Sequence, residues 1–475
     1  MGRDGSRTLG AQIEDQLRRA IRGGALRPDA RVPSTRDLAR QLGVSRRVVV
    51  DAYAQLAAEG YLTLRQGLRP RVSQTAAPAG AALRAPAAAP DGAARTAPVR
   101  TPLPRTRFDF RPSMPDVSTF PRAAWLRSLR TALTTITDAD LGYGDPCGVE
   151  SLRSALADYL GRVRGVVADP EQIVITNGYT QGLGLVCHAL AASGAKRIAL
   201  EDPSNPEDGL VAERAGLEPV SIGVDSGGTR VDELADADAD AVVLTPAHQH
   251  PTGVVLAGER RTALLAWLSE RDAIAIEDDY DAEYRYDRAA VGALQGLDPD
   301  RVVYVGSASK TLAPALRIGW LVVPRSLLQA VGQEKLLADR GTARVEQYAF
   351  ADFLARGELD RHLRRMRSRY QSRRDALIEA LSEALPEAAV SGIAAGLHVT
   401  VRLLDADREQ AIIEEARHRQ VELEAMSEYR PGDASQPPVL LLGYGQMPEP
   451  TIRAGVHELA QAIHAARRCA PEAHP

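Results

Sequence analysis

The stretch Arg301-Val302-Val303-Tyr304-Val305-Gly306-Ser307-Ala308-Ser309-Lys310-Thr311-Leu312-Ala313-Pro314-Ala315-Leu316-Arg317 decides the fold. Its first half is a β-branched run closed by Gly and Ser, the pattern of a short buried strand. Four runs upstream repeat it: QIVITNG (172–178), RIALEDP (197–203), AVVLTPA (241–247) and AIAIEDD (273–279). Helix-length spacers separate them, which predicts α/β architecture with a parallel sheet. In such sheets ligands sit beyond the carboxyl ends of the strands. Each of these runs ends there in polar residues or Gly.

Lys310 stands just past one such end. The chain has only three lysines, Lys196, Lys310 and Lys335, so chemistry that needs an amine has three candidates. A lysine at the end of a buried strand can condense with an aldehyde cofactor once its amine gives up a proton. Lys196, beside Arg197, and Lys335, on a polar helix, read as solvated. Ser307, Ser309 and Arg317 supply hydroxyls and a guanidinium fork suited to a phosphate dianion. Asn177-Gly178-Tyr179-Thr180 follows a strand and opens a helix, whose free backbone N–H groups suit the same phosphate. Glu277-Asp278-Asp279-Tyr280 closes another strand. A buried carboxylate there keeps a pyridine nitrogen protonated, and a tyrosine two positions on reaches a phenolic oxygen.

The first 75 residues follow a different plan. Leu9, Ile13, Leu17 and Ile21 recur every four residues, predicting a helix that ends at Gly23-Gly24. Ser34 caps a second helix that stops at Gly43. Ser45 caps a third, which buries Val49, Ala52, Tyr53 and Leu56. The Gly-Val-Ser turn between them makes a helix-turn-helix. YLTLRQGLRPRV (61–72) then reads as a hairpin wing with Arg65, Gln66 and Gly67 at its tip. Arg46 and Arg47 open the recognition helix, where arginine bonds guanine edges. Arg36 is placed to hold phosphate, and Gly67 lets the wing approach the minor groove.

Charge agrees with this division. Residues 1–75 hold 14 Arg against 7 acidic residues, and 76–107 hold 5 Arg against one Asp, while 108–475 carry a net −15. A basic head on an acidic body suits a polyanionic partner for the head alone. Between them, 12 of the 32 residues from Ala76 to Arg107 are Ala and 6 are Pro, which predicts a linker. As a coil it spans about 30 Å, and as polyproline II about 100 Å.

Residues 1–75 resemble the GntR-type DNA-binding head in PSTRDLA, LGVSR, AYAQLAAEGYL and RQG. There Ser34, Arg36, Ser45, Arg46, Arg47, Gln66 and Gly67 fall on the DNA-binding motif. Residues 108–475 resemble a fold-type I aminotransferase, with a mostly parallel central sheet and a smaller C-terminal α/β subdomain. The whole chain is similar to the MocR subfamily of GntR regulators. That resemblance implies pyridoxal 5′-phosphate linked to Lys310, with Asp278 at the pyridine nitrogen and Asp279 as its alternative. It puts Tyr280 at the phenolic oxygen, Ser307 and Arg317 at the phosphate, and His248, Gln249 and His250 of TPAHQHPTG beside the ring. Tyr143, in LGYGDPCGV, matches the tyrosine that such proteins send to a partner subunit's phosphate, which implies a homodimer. Two departures stand out. EDPSNPED places Ser204 and Asn205 where relatives often stack an aromatic ring on the pyridine. PPVLLLGYG lacks the late-strand arginine that holds a substrate carboxylate, leaving Arg430 as the replacement for effector binding.

Other classes are poorly served. No run approaches the roughly 20 apolar residues of a membrane span, and MGRDGSRTLG has no signal-peptide core. Cys147, Cys187 and Cys469 lie too far apart in sequence to suggest a disulfide framework or zinc site, and no metal is expected. The expectation is a cytoplasmic regulator that binds double-stranded operator DNA and senses pyridoxal phosphate or a small amine. An active aminotransferase with an appended head is the alternative.

Overall fold

The computed structural model describes residues 8–65, 68–73, 106–286, 292–392, 394–404, 407–430 and 438–468. The chain divides into two compact units, Met1–Arg95 and Thr96–Pro475, and that division falls inside the Ala/Pro-rich segment. Most of that segment, together with Gln66 and Gly67 of the wing, lies outside the described residues.

The head contains α1 (Leu9–Arg22), α2 (Thr35–Leu42), α3 (Arg46–Ala58), β1 (Leu62–Thr63) and β2 (Arg71–Val72). Both expected caps form. Ser34 Oγ accepts from Asp37 N at 3.1 Å, and Ser45 Oγ accepts from Val48 N at 3.4 Å. Gly43 ends α2 in the left-handed region at φ +66°, a conformation that costs glycine little. Val49, Ala52, Tyr53 and Leu56 are all buried. Tyr53 also donates to Pro33 O at 2.9 Å, pinning α3 to the entrance of α2. β1 and β2 pair antiparallel as the wing. Ser34→Ala removes the cap of α2 and is expected to weaken the head by about 1 kcal/mol. Faster hydrogen exchange of α2 and α3 amides in the full-length protein measures this loss.

The body opens with β3 (Phe108–Asp109), α4 (Arg122–Thr135) and α5 (Glu150–Arg164). Its large sheet then begins at β4 (Ile173–Thr176), which leads to α6 (Tyr179–Ala192), β5 (Arg197–Asp202), α7 (Pro206–Ala215), β6 (Glu218–Asp225) and β7 (Gly228–Thr229). It continues through α8 (Leu234–Ala237), β8 (Ala241–Leu244), α9 (Gly258–Arg271), β9 (Ile274–Asp278), β10 (Val302–Ser307), α10 (Ala308–Thr311) and β11 (Gly319–Val322). The strand order is β4-β11-β10-β9-β8-β5-β6-β7. The pairings from β10 through β9, β8 and β5 to β6 are all parallel, whereas β11 runs antiparallel between β10 and β4. β4 and β8 are buried along their whole length, as strands covered on both faces must be.

After α11 (Arg325–Asp339), α12 (Arg344–Ala355) and the long α13 (Glu358–Ala384), the chain builds the smaller subdomain. It holds β12 (Ala389–Ser391), β13 (His398–Arg402), α14 (Glu409–His418), β14 (Val421–Glu422), β15 (Glu424–Ala425), β16 (Val439–Gly443) and α15 (Glu449–Arg468). Its four-stranded sheet has the order β12-β13-β16-β15, and β14 pairs with β3 at the start of the body. Among the described residues no helix is long and apolar enough to cross a membrane, and no cluster of three His, Cys, Asp or Glu could hold a metal ion.

Candidate functional site

On the head, Arg36, Ser45, Arg46 and Arg47 are exposed, with Arg46 and Arg47 on the first turn of α3. Arg47 makes only a loose 4.0 Å pair with Asp51, so its guanidinium remains available to an outside anion. Ser34 is half-buried. Its oxygen accepts from the backbone of Asp37 and donates to that residue's carboxylate at 2.7 Å, so its main duty is the cap.

In the body, register brings the strand-end candidates into one row. Gly319 of β11 pairs with Thr176 of β4 on one side and with Ser307 of β10 on the other. Arg317, two residues before Gly319, donates to the carbonyl of Asn177. Gly178 caps α6 at φ +91°, and no side chain makes a capping hydrogen bond to the helix N-terminus. A Cβ there would stand 2.8 Å from the Arg317 guanidinium, so glycine is required for the two to meet. Open N–H groups, a guanidinium and the Ser307 hydroxyl therefore converge at one end of the row, an arrangement suited to a phosphate.

One strand further, Asp278 lies level with Val305 of β10. Its carboxyl group makes no hydrogen bond to another described side chain. Burial, then the neighbouring Asp208, pushes its pKa well above the usual carboxylate range. Asp279 points the opposite way, as alternation along a strand demands. It accepts from Arg164 Nε at 2.6 Å and Tyr304 Oη at 2.8 Å in the core beneath the sheet. That engagement leaves Asp278 as the carboxylate facing the site.

Lys310 lies in α10, just beyond β10. Burial lowers its amine pKa, opposed by the charges of Asp281, Asp278 and Glu424. Tyr280 Oη is 3.1 Å from His248 Nδ1. The ring of His250 lies between Tyr280 and Tyr429, at centroid distances of 5.6 and 5.1 Å, and burial drives its pKa well below the ordinary value. Tyr179 donates to Asp208 Oδ2 at 2.9 Å. Burial raises the pKa of Asp208 to about 7. Asn205 is the N-cap of α7 and donates to Asp208 at 3.1 Å, so it serves the helix start where relatives often place a ring.

Two expectations need revision. Lys335 is not solvated: its side chain is fully buried, and its amine donates to Asp339, Thr342 and Gln181 at 2.7, 2.8 and 3.1 Å. Arg430 does stand near the loop after β5, but its fork is already taken. Nε reaches Asp202 Oδ1 at 3.0 Å and a terminal nitrogen reaches Asp202 O at 2.9 Å. Three residues with no motif to mark them also belong to this region: Asp281, His398 and Asp208. Contacts with residues distant in sequence mark them: Tyr179 for Asp208, His248 for Asp281, and Pro251 for His398.

Residues 9–72 match the bacterial regulatory proteins of the gntR family, and residues 118–423 match aminotransferase class I and II. The chain is 31% identical to the pyridoxine biosynthesis transcriptional regulator PdxR of Corynebacterium glutamicum, over 96% of each protein. It is equally identical to the "probable rhizopine catabolism regulatory protein MocR" of Rhizobium meliloti, over 98% of this chain and 95% of that one. The chain belongs to the MocR subfamily of GntR-type regulators. The body of this MocR-type protein superposes on a multiple substrate aminotransferase of Thermococcus profundus with a TM-score of 0.69 and 26% identity, covering 76% of this chain and 92% of the other. A kynurenine aminotransferase of Pyrococcus horikoshii, solved in complex with PMP, gives the same TM-score and identity, covering 77% of the MocR-type chain and 92% of its own.

Proposed function

We propose that this MocR-type chain is a cytoplasmic transcription regulator. Its head binds double-stranded operator DNA, and its body senses pyridoxal 5′-phosphate or a small amine that reacts with it. One observation carries the reading. A single chain joins an exposed arginine pair on a recognition helix to a strand-end row containing Lys310, Asp278 and Tyr280. The row fits the cofactor. A half-buried carboxylate without a partner suits the ring nitrogen, and an uncapped helix beside a guanidinium suits the phosphate. When bound, the cofactor supplies an aldehyde that takes up amines and a ring that draws off electrons.

Within this reading Lys310 is the point of covalent attachment, and its burial favours the neutral amine that attachment needs. Asp278 faces the ring nitrogen and Tyr280 the phenolic oxygen, with His250 beside the ring. Ser307, Ser309, Arg317 and the backbone of Gly178, Tyr179 and Thr180 hold the phosphate. The functional unit is a homodimer. Tyr143 is 88% exposed on its own chain, and Leu126, Leu133, Leu141 and Leu337 are exposed on the same body. Two heads joined in one dimer bind two half-sites together, which one small head cannot do.

A gel-shift with the chain's own upstream DNA, with and without pyridoxal phosphate, tests the reading. Specific retardation that changes with the cofactor is expected, and no specific retardation in either condition refutes it. In the same assay Arg46→Ala is expected to lose about 1–3 kcal/mol of operator binding, five- to 150-fold, with a far smaller effect on unrelated DNA. Turnover as an aminotransferase is the second reading, favoured by the intact Lys310, Asp278 and Tyr280 set. The engagement of Arg430 by Asp202 works against it, since a substrate carboxylate would have to displace that pair.

A further inference from the structure

Next to Tyr280, the loop after β9 carries a buried carboxylate, Asp281, to which the cofactor roles above give no part. Asp281 is 1% exposed, and its two carboxylate oxygens lie 3.0 and 3.1 Å from Nδ1 of His248, itself 3% exposed. Tyr280 Oη lies 3.1 Å from the same nitrogen. A ring nitrogen carries at most one hydrogen. With that hydrogen aimed at the carboxylate, none remains for the phenol. The Tyr280 proton is then left for the neighbouring Asp281 carboxylate or for the cofactor site.

The cluster is closed from the smaller subdomain. The His398 ring stands 5.5 Å from that of His248, and His398 Nε2 bonds to Pro251 O at 3.0 Å. Gly396 covers both partners. A Cβ there would lie 2.2 Å from His248 Cε1 and 2.7 Å from Asp281 Oδ2, at a backbone φ of +71°. Tyr286 and Tyr444 both donate to the Gly396 carbonyl at 2.6 Å, holding this cover down. A histidine bonded to a buried carboxylate under a glycine cover makes a rigid support for one hydroxyl.

We propose that Asp281, clamped by His248 beneath Gly396, is a positioning residue that fixes the direction in which the Tyr280 hydroxyl meets the cofactor's phenolic oxygen. This rests on the cofactor reading given above. The same carboxylate acts on Lys310. The charged and titratable groups facing that amine are Asp281 and Asp278 from the end of β9, Glu424 from β15, His250 from the loop after β8 and His398 from β13. Asp281 has the strongest charge effect of the three carboxylates, and it favours the protonated amine. Removing its charge therefore makes a proton at the lysine linkage easier to lose.

The test is a pH titration of the visible absorption band of the full-length protein loaded with pyridoxal phosphate. Asp281→Asn is expected to lower the midpoint by about 1–3 pH units, the usual effect of removing a neighbouring opposite charge. In a Tyr280→Phe background the same substitution is expected to give a clearly smaller shift, because part of its action passes through the hydroxyl. An unmoved midpoint in a variant that folds and binds cofactor overturns the proposal, and so does an equal shift in both backgrounds. Should Asp281→Asn not fold, His248→Ala is expected to release the carboxylate and move the midpoint, while His248→Gln, which keeps a donor, restores it. Equal midpoints for wild type and His248→Ala overturn the proposal. A wild-type protein with no visible band defeats the cofactor reading itself, and this inference with it, whereas a band with an unmoved midpoint defeats only the inference.

Discussion

Lys310→Ala is expected to abolish the visible absorption of the protein mixed with pyridoxal phosphate, and to remove the adduct that borohydride fixes on the peptide containing residue 310. The loss should be complete, because no other lysine can substitute. Lys196 is exposed at the opposite, starting end of β5, and Lys335 is locked into Asp339, Gln181 and Thr342. The phosphate contacts proposed for Arg317 and the α6 N-terminus do not depend on the amine. The variant should therefore still bind the cofactor weakly and reversibly, so that equilibrium dialysis detects binding while mass spectrometry after reduction finds no adduct. DNA binding by the head should persist, and its response to cofactor should disappear. A reduced adduct found on another side chain of the wild-type protein would show that the attachment point has been misassigned.

Arg164→Ala is expected to cost about 3–5 kcal/mol of body stability, the range for removing one partner of a buried ion pair. Both side chains are essentially without solvent contact, 0% exposed for Arg164 and 2% for Asp279. Burial opposes the charge on Arg164, yet Asp279 more than offsets this and holds the guanidinium protonated. Without Arg164 the carboxylate keeps the Tyr304 hydroxyl at 2.8 Å but no cation. Burial pushes Glu277 and Glu283 up and Arg164 pulls both down, so without the guanidinium their folded values rise further above the unfolded value of about 4.3. Between the unfolded and folded values the folded state holds protons that the unfolded state has lost, so stability falls as pH rises. The destabilisation should be small near pH 4 and full at pH 8, read as a shift of the urea midpoint. Asp279→Asn added to Arg164→Ala should recover part of the loss at pH 8, where the orphaned carboxylate is charged. A single variant with the same deficit at both pH values would refute the charge argument.

Much of this was legible where one short segment holds the whole signal. Ser34, Gly43 and Ser45 announce their caps by local spacing, and the structure places the helices of the head on those bounds. Lys310 and Asp278 were proposed because strand ends in a parallel sheet are ligand sites, while Asp279 stayed open as an alternative until the structure showed it bonded to Arg164 and Tyr304. Lys335 was misread for the converse reason. Its neighbours in QEKLLADR are polar, but its burial depends on Gln181, which joins from 154 residues away. Arg430 shows the same limit: its availability depends on Asp202, 228 residues upstream. Asp281 carries no motif of its own, and its meaning comes from His248, 33 positions earlier. The residues proposed to meet the cofactor lie in short readable segments, whereas the contacts that support them are set by long-range packing.

The burial of Lys335 also has a practical side. With pyridoxal phosphate protecting the half-buried Lys310 during labelling, Lys196 is the exposed lysine amine left on the body, since the chain contains no other lysine. An amine-directed fluorophore should attach there at a single defined point of the body, at the start of β5. Paired with a dye on an operator fragment, that label would report how the distance between body and DNA changes as cofactor is added.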